Sequence, residues 1–410
     1  ADEAICIGPG PSAQSYLNME QIISATMVSG ADAIHPGFGF LSENARFAEL
    51  CEKCGITFVG PPSKVIRMLG NKKIARSTMI AAGVPVVPGS EGDVEDIETG
   101  LKEAERIGYP VIIKAALGGG GKGMRVANTP EEFPEAYATA RKESEIAFGD
   151  GTMYIEHFVV NPRHIEFQIL ADSFGNVIHL GERDCSIQRN HQKMIEESPS
   201  AAVSPELREK MGHAAVTAAK AAGYVNAGTI EFLLEPDGKF WFMEMNTRIQ
   251  VEHPVTEWVT GIDLVKEQLK IASGMPLEIA QEDVRIQGHA IECRINAENP
   301  QKNFRPSPGT IQGAHFPGGN GIRVDTCVYN GCKIPPYYDS MLAKLIVHAG
   351  NRKEAIAKMQ SALGEVIIDG IDTNIDYQYE ILKDEDYQSG NFDTGFLASH
   401  IIAGVKINEN

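Results

Sequence analysis

The sequence has too little positive charge to favour a nucleic acid or an anionic membrane as a partner. Its 37 Lys and Arg residues are outnumbered by 55 Asp and Glu residues, giving a formal net charge of −18. Proteins that bind polyanions generally present an excess of Lys and Arg. The composition therefore argues against both partner classes, and an anionic substrate would need a local cationic pocket.

The sequence also lacks a signal peptide, an apolar run of membrane-spanning length, internal repeats and low-complexity tracts. Seven cysteines are scattered over 410 residues. Cys51 and Cys54 form one C-x-x-C pair, but no second pair stands at metal-binding spacing, and this pair ends an amphipathic helical pattern. These features predict reduced thiols and a cytoplasmic location.

The length and the order of strand and helix patterns predict a multidomain α/β and α+β protein. Residues 1–70 alternate strand patterns (EAICIG, ADAIHPG, ITFVGPP) with helical ones, as in a parallel sheet. One helix is predicted over about 64–83, and the following stretch rich in Gly, Pro and acidic residues (83–96) suggests a hinge. From about residue 160 the patterns indicate long strands, with helices starting at Ser204-Pro205 and spanning about 262–274 and 351–364.

A hairpin pattern over 227–246 predicts a metal site. If Asp237-Gly238 is a two-residue turn, Glu231 lies directly opposite Glu244. At about 5 Å and an effective dielectric of about 20, their repulsion is on the order of 3 kcal/mol. A shared proton, a neighbouring cation or a divalent metal ion could offset it. Because Asn246 adds another oxygen on the same face, we favour a magnesium site.

Polar residues continue at every second position beyond this hairpin. If the chain stays extended, Glu244, Asn246, Arg248, Gln250 and Glu252 share one face. Such a row next to the apolar stretch Trp241–Met243 is unusual for a solvated strand. The alternation predicts an ordered track of functional groups.

The glycine-rich segment KAALGGGGKGMR (114–125) predicts phosphate binding. It is neither a P-loop nor a dinucleotide fingerprint, because no Ser or Thr follows Gly-Lys and the segment runs into a strand. A glycine loop between two strands can still present backbone N–H groups to phosphates. Together with Lys72, Lys114 and the carboxylate pair, it suggests a nucleoside triphosphate with magnesium.

The longest motifs resemble those of the biotin carboxylase family, the ATP-grasp component of acetyl-CoA carboxylase and related biotin-dependent carboxylases. They are HPGFGFLSEN (35–44), GNKKIAR (70–76), YPVIIKAALGGGGKGMR (109–125), ERDCSIQRNHQK (182–193), EMNTRIQVEHPVTE (244–257) and ECRINAE (292–298). The resemblance implies a truncated Rossmann-like N-terminal domain (1–70), an ATP-grasp domain (71–275) with a mobile lid at about 87–160, and a mixed α+β C-terminal domain (288–398).

The resemblance also implies roles for individual residues. ATP would be bound by Lys72, Lys114, Gly120 and Gly121 in the Gly118–Gly123 loop, Glu156, His164, Gln188, His191 and Glu231. Two Mg²⁺ or Mn²⁺ ions would be held by Glu231, Glu244 and Asn246. Bicarbonate would be bound by Lys193, Arg248, Gln250 and the Val251 backbone. Glu252 would deprotonate it, and Arg294 would stabilise the biotin enolate.

The implied reaction converts ATP, bicarbonate and a biotinyl carrier to ADP, phosphate and the carboxybiotinyl carrier through carboxyphosphate. This is the first half-reaction of acetyl-CoA carboxylase, and hence a step in fatty acid biosynthesis, or of a related acyl-CoA or pyruvate carboxylase. The implied partners are a biotin carboxyl carrier protein, carboxyltransferase subunits and a second copy in a homodimer.

Two departures from the family pattern leave alternatives open. The usual N-terminal strand-helix unit with an Arg-Gly-Glu-Ile motif is missing, which predicts a truncated or partial sequence. No biotin-accepting Met-Lys-Met stretch is present, so the carrier is expected on another chain or in a missing segment. The alternatives are another ATP-grasp ligase and a catalytically silent ATP-binding fragment.

Overall fold

The computed structural model describes residues 2–90, 92–115, 123–148, 150–190 and 192–407. The chain divides into two units. The first unit comprises Ala1–Val84, Arg163–Leu234 and Glu244–Asn410, and the second comprises Pro85–Pro162 and Glu235–Met243.

Most of an eight-stranded sheet belongs to the first unit. In chain order its strands are β1 (Arg163–Ala171), β2 (Val177–Arg189), β3 (Gln192–Ser198), β4 (Asn226–Leu234), β5 (Phe240–Asn246), β6 (His289–Asn296), β7 (Ile322–Thr326) and β8 (Met341–Ala349). Their spatial order is β5-β4-β1-β2-β3-β6-β8-β7. The mixed architecture with a large sheet confirms the predicted fold class. Strand β3 was not predicted.

The chain also contains helices and short strands outside this sheet. The helices of both units are Met19–Ser29, Ala45–Lys53, Ser63–Leu69, Lys72–Ala81, Ile97–Ile107, Phe133–Phe148, Pro205–Ala221, His253–Thr260, Leu264–Ala272, Arg352–Glu365, Ile375–Lys383, Glu385–Ser389 and Phe396–Ser399. The remaining strands are Ala33–Ile34, Thr57–Phe58, Val111–Ala115, Met124–Ala127, Met153–His157, Glu298–Asn299, Arg305–Pro306, Gly309–Thr310, Gly313–His315, Lys333–Ile334, Ile367–Asp369, Ile401–Ile402 and Val405–Lys406.

The first strand predicted near the N-terminus is absent from the described chain, since residues 3–8 adopt no strand. The other two form the expected parallel pair, with Ala33 opposite Thr57. The expected helix between them begins after Asn44, whose side chain accepts a hydrogen bond from Phe47 N–H at 3.0 Å. The segment predicted as one helix over 64–83 is two helices, because Gly70 and Asn71 end one and cap the next.

The second unit contains a three-stranded antiparallel sheet with Val111–Ala115 between Met124–Ala127 and Met153–His157. Two helices, Ile97–Ile107 and Phe133–Phe148, pack on it and bury Phe133 and Tyr137. Lys114, which the sequence places at the end of an apolar strand, pairs with Glu156 at 2.6 Å. The apolar strand therefore ends in a neutralised charge.

The predicted two-residue hairpin turn is wrong. Glu235 N–H donates to Lys239 C=O at 2.8 Å, and Gly238 N–H donates to Glu235 C=O at 3.0 Å. The loop therefore contains three residues, Pro236–Gly238, because Pro236 has no N–H with which to pair. Gly238 has φ 87°, as a three-residue loop requires. At the turn, the register is shifted by one residue from the predicted one.

We expect Gly238→Ala to destabilise the protein by about 1–2 kcal/mol, because alanine is strained at a left-handed φ. The added Cβ would meet nothing within 4 Å, so the effect is confined to the backbone. Gly364, inside the helix Arg352–Glu365 and equally open, is a matched control. Gly364→Ala should stabilise by up to about 1 kcal/mol. Urea denaturation measures the free energy of unfolding of both variants. Equal stability of Gly238→Ala and wild type would contradict the turn assignment.

Two sequence expectations concern membranes and thiols. Across the described ranges, no helix combines the length and apolar character needed to cross a membrane. Each of the seven cysteines is a free thiol, and Cys51 is buried whereas Cys54 is exposed.

Candidate active site

A row of ionisable side chains crosses the centre of the large sheet. Glu166 on β1 lies directly opposite Arg183 on β2 and opposite Glu231 on β4. Directly opposed residues share a face of the sheet. All three are buried, with Glu166 and Arg183 fully inaccessible. Antiparallel register thus places a cation and two carboxylates side by side in the protein interior.

Arg183 is held by hydrogen bonds on every side. Its guanidinium donates to Glu166 and to the oxygens of Gln168 at 2.8 Å, Thr256 at 3.0 Å and Thr229 at 3.1 Å. A buried charge is tolerated only when it is paired and hydrogen-bonded. Arg183 therefore acts as a fixed counter-charge that orients Glu166.

Lys193 on β3 is the centre of the site. Its ammonium lies 2.6 Å from Glu166, 2.9 Å from Glu231 and 2.7 Å from Glu252. Burial lowers the pKa of Lys193, but Glu166 and Glu252 outweigh burial and raise the pKa well above its usual value. Lys193 is thus a permanent cation shared by three carboxylates.

A register irregularity explains how Lys193 reaches this face. Gln188 pairs with Lys193, whereas the preceding Ile187 pairs with Ile195, so Met194 is an extra residue in β3. An inserted residue changes which face the flanking side chains occupy. Ile195 joins the apolar core on one side, and Lys193 is free to enter the polar cluster.

Glu252 is held between two cations. One oxygen accepts from Lys193, and the other accepts from Arg294 on β6 at 2.8 Å. Burial raises the pKa of Glu252, but Lys193, Arg294 and Arg183 outweigh it and hold the pKa well below its usual range. The carboxylate is therefore held between Lys193, which is predicted to bind bicarbonate, and Arg294, which is predicted to stabilise the biotin enolate.

The polar row after β5 is not one strand. β5 ends at Asn246, residues 247–252 form a loop, and a helix that was not predicted begins at His253. The extended conformation predicted to Glu252 is therefore wrong, because Pro254 favours the first turn of a helix. The loop still gathers the expected groups. Arg248 donates to Gln250 at 2.6 Å and to Asn246 at 3.0 Å.

Further contacts fix this loop. Glu43 accepts from Thr247 N–H at 2.9 Å and from Arg248 at 2.9 Å. Gln250 donates to Glu231 at 3.1 Å, and Lys344 donates to the Val251 carbonyl at 2.7 Å. Arg248, Gln250 and Val251 are thus positioned by side chains from distant parts of the sequence.

The predicted metal ligands lie in one charged neighbourhood. Burial, followed by the charge of Glu231, raises the pKa of Glu244, whereas Lys72 lowers it. The buried amide nitrogen of Asn246 has no hydrogen-bond partner among the described residues, while its oxygen accepts from Arg248 at 3.0 Å and keeps a second lone pair for a metal ion. Two carboxylates and an amide oxygen fit a hard divalent cation. His164, 3.1 Å from Glu231, belongs with Glu166 and Glu231 to a group whose ligand atoms all lie within 4.8 Å of one another.

The predicted nucleotide residues are placed as follows. Lys114 and Glu156 pair with each other in the second unit, and Lys72 is exposed at the start of its helix in the first unit. His164 contacts Glu231, and Gln188 is paired with Lys193 across the sheet. Gly120, Gly121 and His191 lie outside the described residues.

Three side chains in the site were missed from the sequence: Glu166, Arg183 and Glu196. Glu166 and Arg183 contact Lys193 or its partners, and Glu196 accepts from Arg294 at 2.6 Å. Glu166 alternates with His164 and Gln168 along a buried strand. That alternation is a signal that could have identified Glu166.

Family models match most of the chain. Residues 1–66 match the biotin carboxylase N-terminal domain, residues 71–280 the ATP-binding domain of the carbamoyl-phosphate synthase L chain, and residues 292–399 the biotin carboxylase C-terminal domain.

Individual proteins match over nearly the full length. Biotin carboxylase 1 of Bacillus subtilis is 57% identical over 405 residues, covering 98% of this chain and 90% of the relative. The biotin carboxylase domain of a thermophilic 2-oxoglutarate carboxylase bound to bicarbonate superposes with a TM-score of 0.92 at 49% identity, covering 97% and 87% of the two chains. The dimeric Hydrogenobacter thermophilus biotin carboxylase domain, in complex with MgADP, ADP and bicarbonate, has a TM-score of 0.85 at 51% identity with the same coverage.

Proposed function

The chain belongs to the biotin carboxylase family and is an ATP-grasp ligase that carboxylates biotin using ATP and bicarbonate, and we propose how its own residues carry out that reaction. The observation that carries the proposal is the buried Glu252, held by Lys193 at 2.7 Å and by Arg294 at 2.8 Å. A carboxylate between two fixed cations, next to Arg248 and Gln250, suits the binding and deprotonation of a small oxyanion.

Bicarbonate is bound by Lys193, Arg248, Gln250 and the Val251 N–H. Lys344 supports this arrangement because its hydrogen bond to the Val251 carbonyl fixes that peptide. Glu252 is the general base. In the substrate-free site the neighbouring cations outweigh burial and hold the pKa of Glu252 well below its usual range, but bicarbonate adds a negative charge next to it and competes for Lys193. Both effects raise the pKa of Glu252 when the substrate binds.

Deprotonated bicarbonate attacks the γ-phosphorus of ATP and releases ADP. We assign the nucleotide contacts to Lys72, Lys114, Glu156, His164, Gln188 and Glu231, with His191 and the Gly118–Gly123 loop. Glu231, Glu244 and Asn246 would hold Mg²⁺, for which Mn²⁺ could substitute, in up to two positions. The ions would neutralise charge that develops on the phosphate oxygens.

The product, carboxyphosphate, breaks its C–O bond to give CO2 and phosphate. That phosphate takes the ureido N–H proton of biotin, and the resulting nitrogen nucleophile attacks CO2. Arg294 stabilises the negative charge on the ureido oxygen, since a guanidinium stays ionised and presents a planar set of donors. Its hydrogen bonds to Glu196 and Glu252 set its orientation.

We assign residues 1–70 to a Rossmann-like domain, 71–275 to the ATP-grasp domain with its lid at about 87–160, and 288–398 to the C-terminal domain. The matched family models have similar limits.

A biotin carboxyl carrier protein would present the substrate and a carboxyltransferase would consume the product. A homodimer is supported by the dimer of the Hydrogenobacter thermophilus relative.

The function is tested by measuring ADP formation with and without bicarbonate and free biotin. We expect ATP hydrolysis to require bicarbonate and to rise severalfold with biotin, with labelled bicarbonate recovered as carboxybiotin. Stimulation by ammonia or an amine in place of biotin would instead indicate another ATP-grasp ligase. Hydrolysis that ignores both additions would contradict the proposal.

A further inference from the structure

Two buried glutamates stand opposite one another behind Arg294. Glu196 on β3 is paired directly with Glu292 on β6, and both are fully inaccessible to solvent. Opposed side chains in an antiparallel pair have Cβ atoms about 5 Å apart. Two ionised carboxylates at that separation in the protein interior would repel one another strongly.

The hydrogen bonds of the two carboxyl groups are unequal. Glu196 accepts from Arg294 through one oxygen, and its other oxygen bonds no protein atom in the described part of the chain. Neither oxygen of Glu292 has a protein partner among the described residues. A buried carboxylate without hydrogen bonds is costly, whereas a neutral acid can donate to the free oxygen of Glu196.

The charged groups around Glu292 do not compensate a second negative charge. Burial outweighs the attraction of Lys344 on β8 and Arg294 on β6 for Glu292. Lys344 also donates to the Val251 carbonyl and lies 3.5 Å from Asp325 on β7. Arg294 is already paired with Glu196 and Glu252, and Glu252 adds repulsion. The helix His253–Thr260, which packs against β6, contributes apolar contacts. Its Glu257 forms an ion pair with Arg323, and burial lowers the pKa of its His253 to about 3. Burial raises the pKa of Glu196 to about 7 and that of Glu292 well above its usual range.

We propose that Glu196 and Glu292 share one proton, and that this acid–carboxylate pair positions Arg294 for the biotin half of the reaction. The inference rests on the proposed function, because it assigns Arg294 to the biotin enolate. Glu196 is the ionised member that orients the guanidinium. Glu292 is the neutral member, which donates its proton to Glu196 and prevents a second anion from drawing Arg294 away from the substrate. Both are positioning residues.

The shared proton is tested in the substrate-free protein. The infrared difference spectrum of wild type minus Glu292→Gln, recorded at pH 7, should contain the C=O stretching band of one protonated carboxylic acid. This measurement does not depend on activity. A difference spectrum with a carboxylate band and no acid band would show that Glu292 is ionised and would overturn the inference.

The positioning role is tested by the ratio of biotin-stimulated to biotin-independent ATP hydrolysis, both in the presence of bicarbonate. Glu196→Gln removes the anionic partner of Arg294, so the stimulated rate should fall about 10- to 100-fold, as expected for one charge-assisted hydrogen bond. In Glu292→Gln, position 292 has no acidic proton to lose at high pH. The alkaline limb of the pH profile of the biotin-stimulated rate should therefore move to higher pH by about one unit.

Glu197→Gln is the matched control. Glu197 is the neighbouring buried carboxylate on the other face of β3, where it pairs with Arg352 at 2.9 Å. Its substitution should affect stability but leave the ratio unchanged. If Glu197→Gln lowers the ratio as much as Glu196→Gln, the effect is structural and the inference fails. If wild type itself shows no stimulation by biotin, the proposed function fails, whereas the infrared result still decides the shared proton.

Discussion

Glu252→Gln should reduce bicarbonate-dependent ATP hydrolysis by about 10²- to 10⁴-fold, the range expected when a general base is removed. The amide has nearly the same shape as the carboxylate but cannot accept the bicarbonate proton. The fold should survive. Lys193 keeps Glu166 and Glu231, and Arg294 keeps Glu196. Initial rates of ADP formation at saturating ATP and bicarbonate measure the effect.

Glu267→Gln is the control for this prediction. Glu267 is also a buried glutamate paired with a lysine, Lys270 at 2.8 Å, but it lies on the helix Leu264–Ala272 and contacts none of the predicted substrate groups. Its replacement should leave the rate within about twofold of wild type. A Glu252→Gln enzyme that retains wild-type activity would exclude Glu252 as the base. Equal losses in both variants would point to a general loss of structure.

The polar row keeps its predicted polar neighbours but not its predicted conformation. Strand alternation placed Glu244 and Asn246 correctly within β5, but the chain leaves the strand after Asn246. Arg248 and Gln250 remain neighbours through a 2.6 Å hydrogen bond and not through a shared strand face. Alternation reports side-chain polarity, and a loop tied down by Glu43 and Lys344 can produce the same pattern. Those ties involve residues about 90 to 200 positions away and cannot be read from the local sequence.

The turn illustrates a second limit. Asp237-Gly238 is a strong two-residue turn signal, yet Pro236 has no N–H and the loop takes three residues. One misjudged residue shifts every pairing derived from the turn. The electrostatic consequence was less sensitive to register, because the charge of Glu231 still raises the pKa of Glu244. An expected proximity of two residues depends less on the exact register than an individual pairing does.

The missed residues show what strand pairing adds. Only Glu166 carries a local signal, its alternation with His164 and Gln168 along a buried strand. Arg183 and Glu196 lie on strands whose sequences also contain other polar residues, and nothing local distinguishes them. Their importance comes from register across the sheet, which sets Glu166 between Arg183 and Glu231 and sets Glu196 opposite Glu292. A single sequence contains no information on which strands are neighbours. The β3 irregularity at Met194, which brings Lys193 into the site, is equally invisible before the strands are paired.

Lys193→Gln should lower the free energy of unfolding by about 3–5 kcal/mol at pH 8, the cost typical of removing one partner from a buried ion pair. The ammonium is the common partner of Glu166, Glu231 and Glu252, so its loss leaves uncompensated negative charge in the interior. Without Lys193, burial and mutual repulsion raise the pKa of Glu231 and Glu252 above the unfolded value. The folded variant binds more protons than the unfolded chain, and its stability therefore rises as the pH falls.

Urea denaturation at pH 8, 7 and 6 tests both the size and the sign. As the pH falls, the free energy of unfolding of Lys193→Gln should rise relative to wild type. The expected rise is up to about 1.4 kcal/mol per pH unit for each extra proton that the folded variant binds. Lys270→Gln is the matched control, because Lys270 is more exposed and pairs with Glu267 away from the site. It should cost less than about 1 kcal/mol and show no relative pH trend. If the stabilities of Lys193→Gln and wild type show the same pH dependence, Lys193 does not hold these carboxylates ionised. That result would contradict the electrostatic account of the site.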